Sequence, residues 1–426
     1  PRRQVRGMKR LNAPKGWSQL LFVAPTEPWA ALRAAASAGS AATTATLIDA
    51  GLRGRGGGGF LTGAKWQATA AEPASEHYAV ANGYESDPAV FTNRLLMEEN
   101  PQAIVEGLAI AALTVGAREA FIAVRAEYTE AIKRLEAVIT NAEREGILGA
   151  TLLGTGRELI ITVRPLQGSS MIGEETVLMK ALAGKRGQPE QTPPYPSEVG
   201  YLGKPTAVNN VATLAAVPWI LNNGAEAYAQ IGDTAQPGTV LVQISGSVAN
   251  PGVLEVPTGT PLNEILAAAG GTASGATIKA LLVGGPTGGF IPANLFGGTP
   301  YSGAGLKSVG AHIGSGALLA LDNSVAIPEL ATMLTRWCAD EACGKTIPCR
   351  TGTRRLAEIG QRFVDGLAGP ADAERLQKLA ADVTDSALCA HEALAPSPLL
   401  TGVRYFASEF GPAVAAPSAT PTSGRS

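Results

Sequence analysis

Short apolar runs alternate with amphipathic segments through the first half of the chain, and this alternation limits the fold more than any other feature. The apolar runs HYAVANG, AFIAVRA and LIITVRP predict strands. AIVEGLAIAALTVG and AIKRLEAVITNAERE repeat apolar residues every three to four positions, which predicts helices. Strands alternating with helices are typical of an α/β layer with a largely parallel sheet. We therefore expect an α/β domain over residues 41–230, after a weakly patterned, alanine-rich N-terminal segment over residues 1–40.

The second half of the chain changes texture twice. After Thr239, short apolar runs broken by Gly-Gly and Pro-Thr-Gly turns surround one helical pattern at 261–269. This arrangement predicts a small α+β module of the β-grasp kind over residues 236–325. Three or four amphipathic helical patterns then predict a bundle over residues 326–411. Residues 412–426 are rich in Pro, Ala and Ser, which predicts a disordered tail.

Charge and hydropathy exclude several classes of function. The 34 basic and 36 acidic residues are mixed along the chain and leave a net charge of −2. A nucleic-acid-binding surface would need a basic stripe, which is absent from the sequence. No apolar run approaches the length of a membrane span. We expect a cytoplasmic protein that neither crosses a membrane nor binds nucleic acid.

A glycine-rich segment, GLRGRGGGGFLTGAKW at residues 51–66, has the chemistry of a phosphate site. Glycines allow backbone N–H groups to approach an anion closely, and Lys65 adds a cation after them. The segment has neither the Gly-Lys-Ser/Thr ending of a Walker loop nor the dinucleotide fingerprint. A flexible surface loop is the alternative, but flexible linkers rarely carry side chains such as Arg53, Arg55, Phe60 and Trp66.

Two further polar segments have both a functional and a structural interpretation. Glu174 and Glu175 follow Gly173 at a predicted helix start, where carboxylates also serve as caps. Asn209 and Asn210 are adjacent amides that can bond a ring or a ribose, or simply form an Asn-Asn turn.

Four cysteines fall in the last quarter of the chain. A disulfide framework would usually spread its cysteines along a small secreted chain. Clustering within one region of a long chain favours metal ligation instead. The candidate ligands are Cys338, Cys343, Cys349 and Cys389.

Together these segments resemble the NADH- and FMN-binding flavoprotein subunit of respiratory complex I and its relatives in NAD-linked hydrogenases and formate dehydrogenases. The resemblance covers about residues 45–411, and the motifs GLRGRGG, GEET, GKPT and ACGK stand in the family's order. It implies a Rossmann-like flavin domain, a soluble-ligand-binding β-grasp domain and a helical bundle with a 4Fe–4S cluster. The FMN contacts that it implies are Gly54, Gly56, Gly57, Lys65, Asn82, Gly173, Glu174, Glu175, Asn209 and Asn210.

The sequence departs from the family pattern around the NADH site. The contacts that the resemblance implies for NADH are Phe60, Glu85 and Asp87, where Asp87 is a shortened family Glu. Tyr84 stands in place of an Asp near the flavin, and Ala68 in place of an aromatic that stacks on the nucleotide. Stacking contributes about 1–3 kcal/mol per ring. The resemblance therefore supports FMN binding more strongly than NADH oxidation.

The cluster motif is also altered. Cys343, Cys349 and Cys389 match three of the family's four cysteine ligands, but Thr346 stands where the family has its second cysteine. A Thr hydroxyl is a poor ligand for a soft metal, and a 4Fe–4S cluster normally needs four thiolates. Three outcomes stay open: a three-cysteine cluster, a substitute ligand such as Cys338 or His391, or no cluster at all.

The resemblance implies an FMN-binding electron-transfer subunit of a multi-subunit oxidoreductase, with NADH as a possible substrate. Its partners would be other redox subunits, among them an iron–sulfur protein with a thioredoxin-like or ferredoxin fold. The complex that they form can be attached to a membrane. Two alternatives remain open at this point. The chain can use a donor other than NADH, such as ferredoxin, or it can be a cofactor-poor scaffold that docks partners.

Overall fold

A four-stranded parallel sheet forms the first half of the computed structural model, which describes residues 9–412 and Val414. The order of its strands is β3-β2-β1-β4, and every neighbouring pair is parallel. The three strands expected from the apolar runs are confirmed, and so is the parallel α/β arrangement. The strands are β1 Tyr78–Gly83, β2 Glu119–Arg125, β3 Ile160–Leu166 and β4 Thr206–Asn210.

Helices cover this sheet on both sides. The central one, Pro101–Val115, is buried along almost its whole length. It begins at the Asn100 cap, whose side chain accepts from Ala103 N, with Pro101 in the first turn, and it ends at Gly116 in the left-handed region. The helices of this half are α1 Ala30–Asp49, α2 Thr62–Ala71, α3 Thr92–Glu99, α4 Pro101–Val115, α5 Thr129–Arg144, α6 Glu175–Leu182, α7 Val211–Asn223 and α8 Ala225–Ala229.

Helix α1 corrects the expectation of a weakly patterned segment before residue 40, because it begins at Ala30 and, after a break at Gly39, continues to Asp49. The buried carboxylate of Glu106 in α4 accepts the Leu32 N–H at 3.1 Å, so the core holds the start of α1. Glu255 does the same for the preceding chain, accepting the N–H of Leu20 at 2.7 Å. Residues 1–8 lie outside the described part.

A second, five-stranded sheet follows, in the order β10-β9-β11-β7-β8. Strand β11 is parallel to β7, whereas the other pairs are antiparallel. The predicted helix at 261–269 is confirmed as α9, Leu262–Ala268. The remaining elements here are β5 Gly232–Asp233, β6 Gln236–Pro237, β7 Thr239–Gly246, β8 Gly252–Pro257, β9 Ile278–Val283, β10 Gly289–Pro292, α10 Gly303–Ser308 and β11 Ala317–Asp322.

The last part of the described chain is helical, as the amphipathic patterns predicted. A π-helical turn, Pro348–Gly352, runs directly into the second of its helices. Across residues 9–412, no helix is long and apolar enough to cross a membrane. The expected disordered tail falls almost entirely outside the described residues. The helices are α11 Ile327–Asp340, α12 Thr353–Val364, α13 Pro370–Asp385, α14 Ala390–Leu394 and α15 Ser397–Phe406.

Candidate functional site

The glycine-rich loop joins α1 to α2 and is fixed at several points. Gly54 N donates to Phe60 O at 2.9 Å across its neck. Arg55 N donates to Thr213 Oγ1 at 2.8 Å, and the Arg55 guanidinium donates to Tyr228 Oη at 3.1 Å. The backbone of Arg55 thus ties the loop to α7, and its side chain ties the loop to α8. These bonds argue against the flexible-linker alternative.

The tip of this loop leaves space for a ligand. A Cβ on Gly57 or Gly58 would meet no heavy atom within 4 Å. Gly57 also has φ +102°, a backbone conformation that other residues rarely adopt. Gly56 faces Asn210, whose Cβ would lie 3.4 Å from an added Cβ. The loop tip is therefore an open, backbone-lined surface beside the end of β4.

The start of α2 adds a positive end to this surface. Its cap residue, Leu61, makes no side-chain hydrogen bond to the helix. Thr62 Oγ1 is buried and has no hydrogen-bond partner among the described residues. One turn later, Lys65 Nζ lies 3.2 Å from both Glu175 Oε2 and Val208 O. An uncapped helix start beside glycines and a lysine is suited to an anion such as phosphate.

Gly173 and the two following carboxylates lie at the same end of the sheet as the loop, where Glu175 meets Lys65, and this end is here called the crevice. Asn82 Nδ2 donates to Gly173 O at 2.8 Å, which joins the end of β1 to this turn. A Cβ on Gly173 would lie 1.7 Å from Ser86 Oγ, so a larger residue would require the Ser86 side chain to move. Glu174 caps α6 by accepting from Val177 N at 2.9 Å. The capping interpretation therefore holds for Glu174, whereas Glu175 pairs with Lys65.

The adjacent amides lie at the end of β4, not in an Asn-Asn turn. Asn209 Oδ1 accepts from Trp66 Nε1 at 2.8 Å. Asn210 Oδ1 caps α7 by accepting from Ala212 N at 2.8 Å. Ligands of open α/β sheets bind in the crevice outside the carboxyl ends of the strands. Asn82, Asn209 and Asn210 stand in the last two positions of β1 and β4, which places all three at that edge.

The side chains expected at the NADH site have different surroundings. Phe60 is exposed, at 59 % of its accessible surface. Glu85 is buried and accepts from Asn93 N at 2.8 Å and from Tyr128 Oη at 3.1 Å. Burial raises the pKa of Glu85 to about 7, although its hydrogen bonds oppose the shift. Asp87 is also buried, which raises its pKa, and it accepts from Ala89 N. Both carboxylates are thus satisfied by protein groups.

Tyr84 is buried rather than spread across the crevice. Its hydroxyl donates to Gly168 O at 2.9 Å, in the loop that follows β3. The Arg125 guanidinium lies 5.1 Å from the ring centroid, within the range of a cation–π contact. The ring therefore fixes the loop after β3.

A second site lies where the helical region meets the first half of the chain. Three cysteines, Cys343, Cys349 and Cys389, line one small cavity there. No group of three or more His, Cys, Asp or Glu within the described ranges could hold a single metal ion. A four-iron cluster binds each ligand at a different iron, so its ligands surround a cube instead of a point. The remaining lining residues are Met171, Pro189, Lys345, Thr346, Leu388, His391 and Glu392.

Burial affects two of the thiols that line this cavity, Cys349 and Cys389. Burial is the largest cause that raises the pKa of Cys349 to about 12, and Glu392 adds to it. Burial also raises the pKa of Cys389. A bound metal deprotonates a coordinating thiol outright. The donor chemistry of three convergent thiols therefore fits iron, and the thiolates would form on binding.

Of the two substitute ligands suggested by the sequence, only His391 lines the cavity. Its Nε2 lies 2.8 Å from Cys338 O. Cys338 is fully buried in α11, with its Sγ 3.8 Å from Pro286 O, and is not among the lining residues. Sequence reasoning missed Glu392, whose Oε1 accepts from Thr346 Oγ1 at 2.9 Å. Its only sequence signal is a position three residues after Cys389.

Polar and apolar contacts join the two sites. Ser170 N donates to Glu341 Oε2 at 2.8 Å, just before the first cysteine of the cavity. Lys345 Nζ lies 3.1 Å from Glu190 Oε2. Cys343 and Cys389 pack against the apolar cluster that contains Met171. The segment 169–190, here called the shared segment, therefore contacts both the crevice and the cysteine cavity.

Comparison with known proteins gives matches along most of the chain. Residues 47–219 match the family model of the Nuo51 FMN-binding domain, residues 241–291 match the SLBB domain, and residues 329–413 match the NADH-ubiquinone oxidoreductase-F iron-sulfur binding region.

Relatives and a solved structure agree with these models. The chain is 38% identical to the NADP-reducing hydrogenase subunit HndC of Solidesulfovibrio fructosivorans, over 86% of this chain and 76% of that one. It is also 38% identical to an NADH-quinone oxidoreductase subunit of Escherichia coli K12, over 85% of this chain and 82% of that one. A crystal structure of an NAD+-reducing NiFe hydrogenase in the H2-reduced state superposes with a TM-score of 0.85 at 30% identity, covering 97% of this chain and 69% of that one. The chain therefore belongs to the family of FMN-binding subunits that occurs in NADH-quinone oxidoreductases and NAD-reducing hydrogenases.

Proposed function

We propose that the chain binds FMN in the crevice at the carboxyl edge of the parallel sheet and transfers electrons within a multi-subunit oxidoreductase. The observation that supports this most is the closeness of the crevice and the cysteine cavity, which the shared segment lines on its two sides. Within that segment, Met171 lines the cavity, and Gly173 bonds Asn82 at the crevice. A protein of this kind positions its cofactors so that electrons pass between them.

The glycine loop would hold the phosphate of FMN. Gly54, Gly56 and Gly57 offer backbone approach without a Cβ, and α2 directs its uncapped end toward the same surface. Lys65 would exchange part of its contact with Glu175 for the phosphate, since both side chains keep some exposure. The remaining contacts would come from Asn82, Gly173, Glu174, Glu175, Asn209 and Asn210, which surround the crevice.

Bound FMN supplies hydride acceptance and single-electron release. The residues of this chain would bind and orient it. Asn82 and Asn209 are already fixed by bonds to Gly173 O and Trp66 Nε1, so their positions need no rearrangement. Glu174 is likewise fixed by the start of α6. Such preorganised side chains reduce the entropy lost when the ring is fixed.

We also propose the domain division that follows from this function. It comprises a Rossmann-like flavin domain over 41–230, a soluble-ligand-binding β-grasp domain over 236–325 and a cluster-bearing helical bundle over 326–411. The SLBB match at 241–291 supports the middle assignment, and the strand order supports the first.

NADH is the first candidate for the donor, because the relatives are named as NADH-quinone oxidoreductase and NADP-reducing hydrogenase subunits. Phe60 offers an exposed ring for stacking. A different donor, such as ferredoxin, is favoured by Ala68 in place of an aromatic and by the inward bonding of Glu85 and Asp87. We place the chain in the cytoplasm, with a neighbouring iron–sulfur protein of thioredoxin-like or ferredoxin fold as its electron acceptor.

Visible absorption of the purified full chain tests the proposal. We expect flavin bands that disappear when NADH is added under anaerobic conditions. Flavin bands that respond only to reduced ferredoxin would support the FMN site and would show that ferredoxin, not NADH, is the electron donor. A colourless protein that takes up neither FMN nor iron would contradict the proposal and leave the scaffold alternative.

A further inference from the structure

Thr346 occupies the position at which the family carries a cysteine ligand, and its side chain makes a hydrogen bond within the cavity. Its hydroxyl donates to Glu392 Oε1 at 2.9 Å. Both residues line the cysteine cavity, although they are 46 positions apart in the chain. The cavity therefore presents a carboxylate next to the place where a thiolate is missing.

Glu392 is an unusual carboxylate for a protein interior. It is 1% exposed, and its Oε2 accepts from Leu388 N at 2.9 Å. None of the salt bridges of the described residues involves it, so it lacks a cationic partner there. A buried carboxylate is expensive unless it is paired or bound to a metal. The missing partner of Glu392 would thus be a cation within the cavity.

We propose that Glu392 is the fourth protein ligand of a 4Fe–4S cluster whose other ligands are Cys343, Cys349 and Cys389, an inference that rests on the proposed function. Thr346 acts as a positioning residue, because its hydroxyl fixes one carboxylate oxygen. The two oxygens of a carboxylate carry about four lone-pair sites, and Thr346 and Leu388 use two of them. The remaining sites are free for iron.

Charge supports the same assignment. A thiolate and a carboxylate both carry one negative charge, so Glu392 restores the ligand charge that Thr346 removes. A neutral imidazole or a hydroxyl would not. The rival ligands are also less well placed: His391 Nε2 lies 2.8 Å from Cys338 O, and Cys338 is outside the cavity lining.

Iron analysis of the full chain, reconstituted anaerobically with iron and sulfide, tests the proposal. We expect four irons per wild-type chain by chemical analysis and a four-iron spectrum by Mössbauer spectroscopy. Glu392→Gln should lose one iron and give the electron paramagnetic resonance signal of an oxidised three-iron cluster. Adding Thr346→Cys to this variant should restore four irons, because it returns the family's own ligand. Unchanged FMN content and circular dichroism would show that the variants are folded.

Four results would overturn the assignment. A Glu392→Gln chain that keeps four irons with the wild-type spectrum excludes the carboxylate as a ligand, and loss of an iron in His391→Gln alone would assign the role to the imidazole. Three irons in the wild type and four in Thr346→Cys would show that the wild-type cluster has no fourth protein ligand, although the cluster site itself exists. Absence of iron from every variant, including Thr346→Cys, would remove the cluster itself and with it the electron path of the proposed function.

Discussion

Replacement of Glu85 by Gln should change how the stability of the protein depends on pH. Burial raises the pKa of Glu85 from an ordinary value of 4.5 to about 7 in the folded protein. The folded state therefore binds this proton more tightly than the unfolded state, and the stability that the protonated group contributes is lost as the pH rises through the folded pKa. Gln resembles the protonated acid, since it can offer a donor to Tyr128 and an acceptor to Asn93.

The magnitude follows from the two pKa values. Integration of proton binding between about pH 5 and about pH 8 gives a loss of about 2.5 kcal/mol for wild type relative to Glu85→Gln. Urea unfolding of both proteins at the two pH values measures this difference directly. Glu374→Gln, at an exposed carboxylate, corrects for the change of net charge. The free energy of unfolding of wild type minus that of Glu85→Gln should fall as the pH rises. A difference that stays constant, or that grows with pH, would refute the buried, protonated state of Glu85.

Two other predictions concern packing and the phosphate site. Gly107→Ala should lower the free energy of unfolding by about 3 kcal/mol, because its Cβ would lie 2.1 Å from Leu214 O where α4 meets α7. Thermal unfolding measures this loss against the control Gly298→Ala, where an added Cβ meets nothing within 4 Å. Equal shifts of the unfolding temperature in the two variants would contradict the close approach of α4 and α7. Lys65→Ala should weaken FMN affinity by about tenfold, and so lower occupancy at sub-saturating FMN, as expected for a lost charge-assisted bond of about 1.5 kcal/mol. Flavin fluorescence after release measures occupancy, and a value equal to that of the exposed Lys378→Ala control would reject the phosphate assignment.

Sequence patterns predicted most elements, and their failures have physical causes. Strands β1, β2 and β3 have short apolar runs between turns, which periodicity detects. Helix α1 has little contrast between its faces, because alanine occupies both buried and exposed positions in its first half. Its position depends on the long-range bond from Leu32 to Glu106, which local pattern does not contain.

The residues of the candidate site also divide into those that the sequence identifies and those that only the folded structure shows. Glycines, Lys65 and the cysteines are recognisable because their order along the chain matches a family. The bond between Thr346 and Glu392 is not recognisable, since it requires the chain to bring two distant turns to one cavity. The inward direction of Glu85 is likewise set by the N–H groups at the start of α3, and only the folded structure shows it.

The shared segment has a consequence for how the protein acquires its cofactors. Residues 169–190 contact the crevice through Gly173 and the cavity through Met171 and Pro189, and Ser170 is bonded to Glu341 on the cavity side. A ligand that orders this segment from one side lowers the entropy that the other ligand must still remove. By reciprocity, occupancy of either site then raises affinity at the other by the same factor. Assembly of the flavin and the metal would be cooperative, so that half-loaded protein is scarce during maturation.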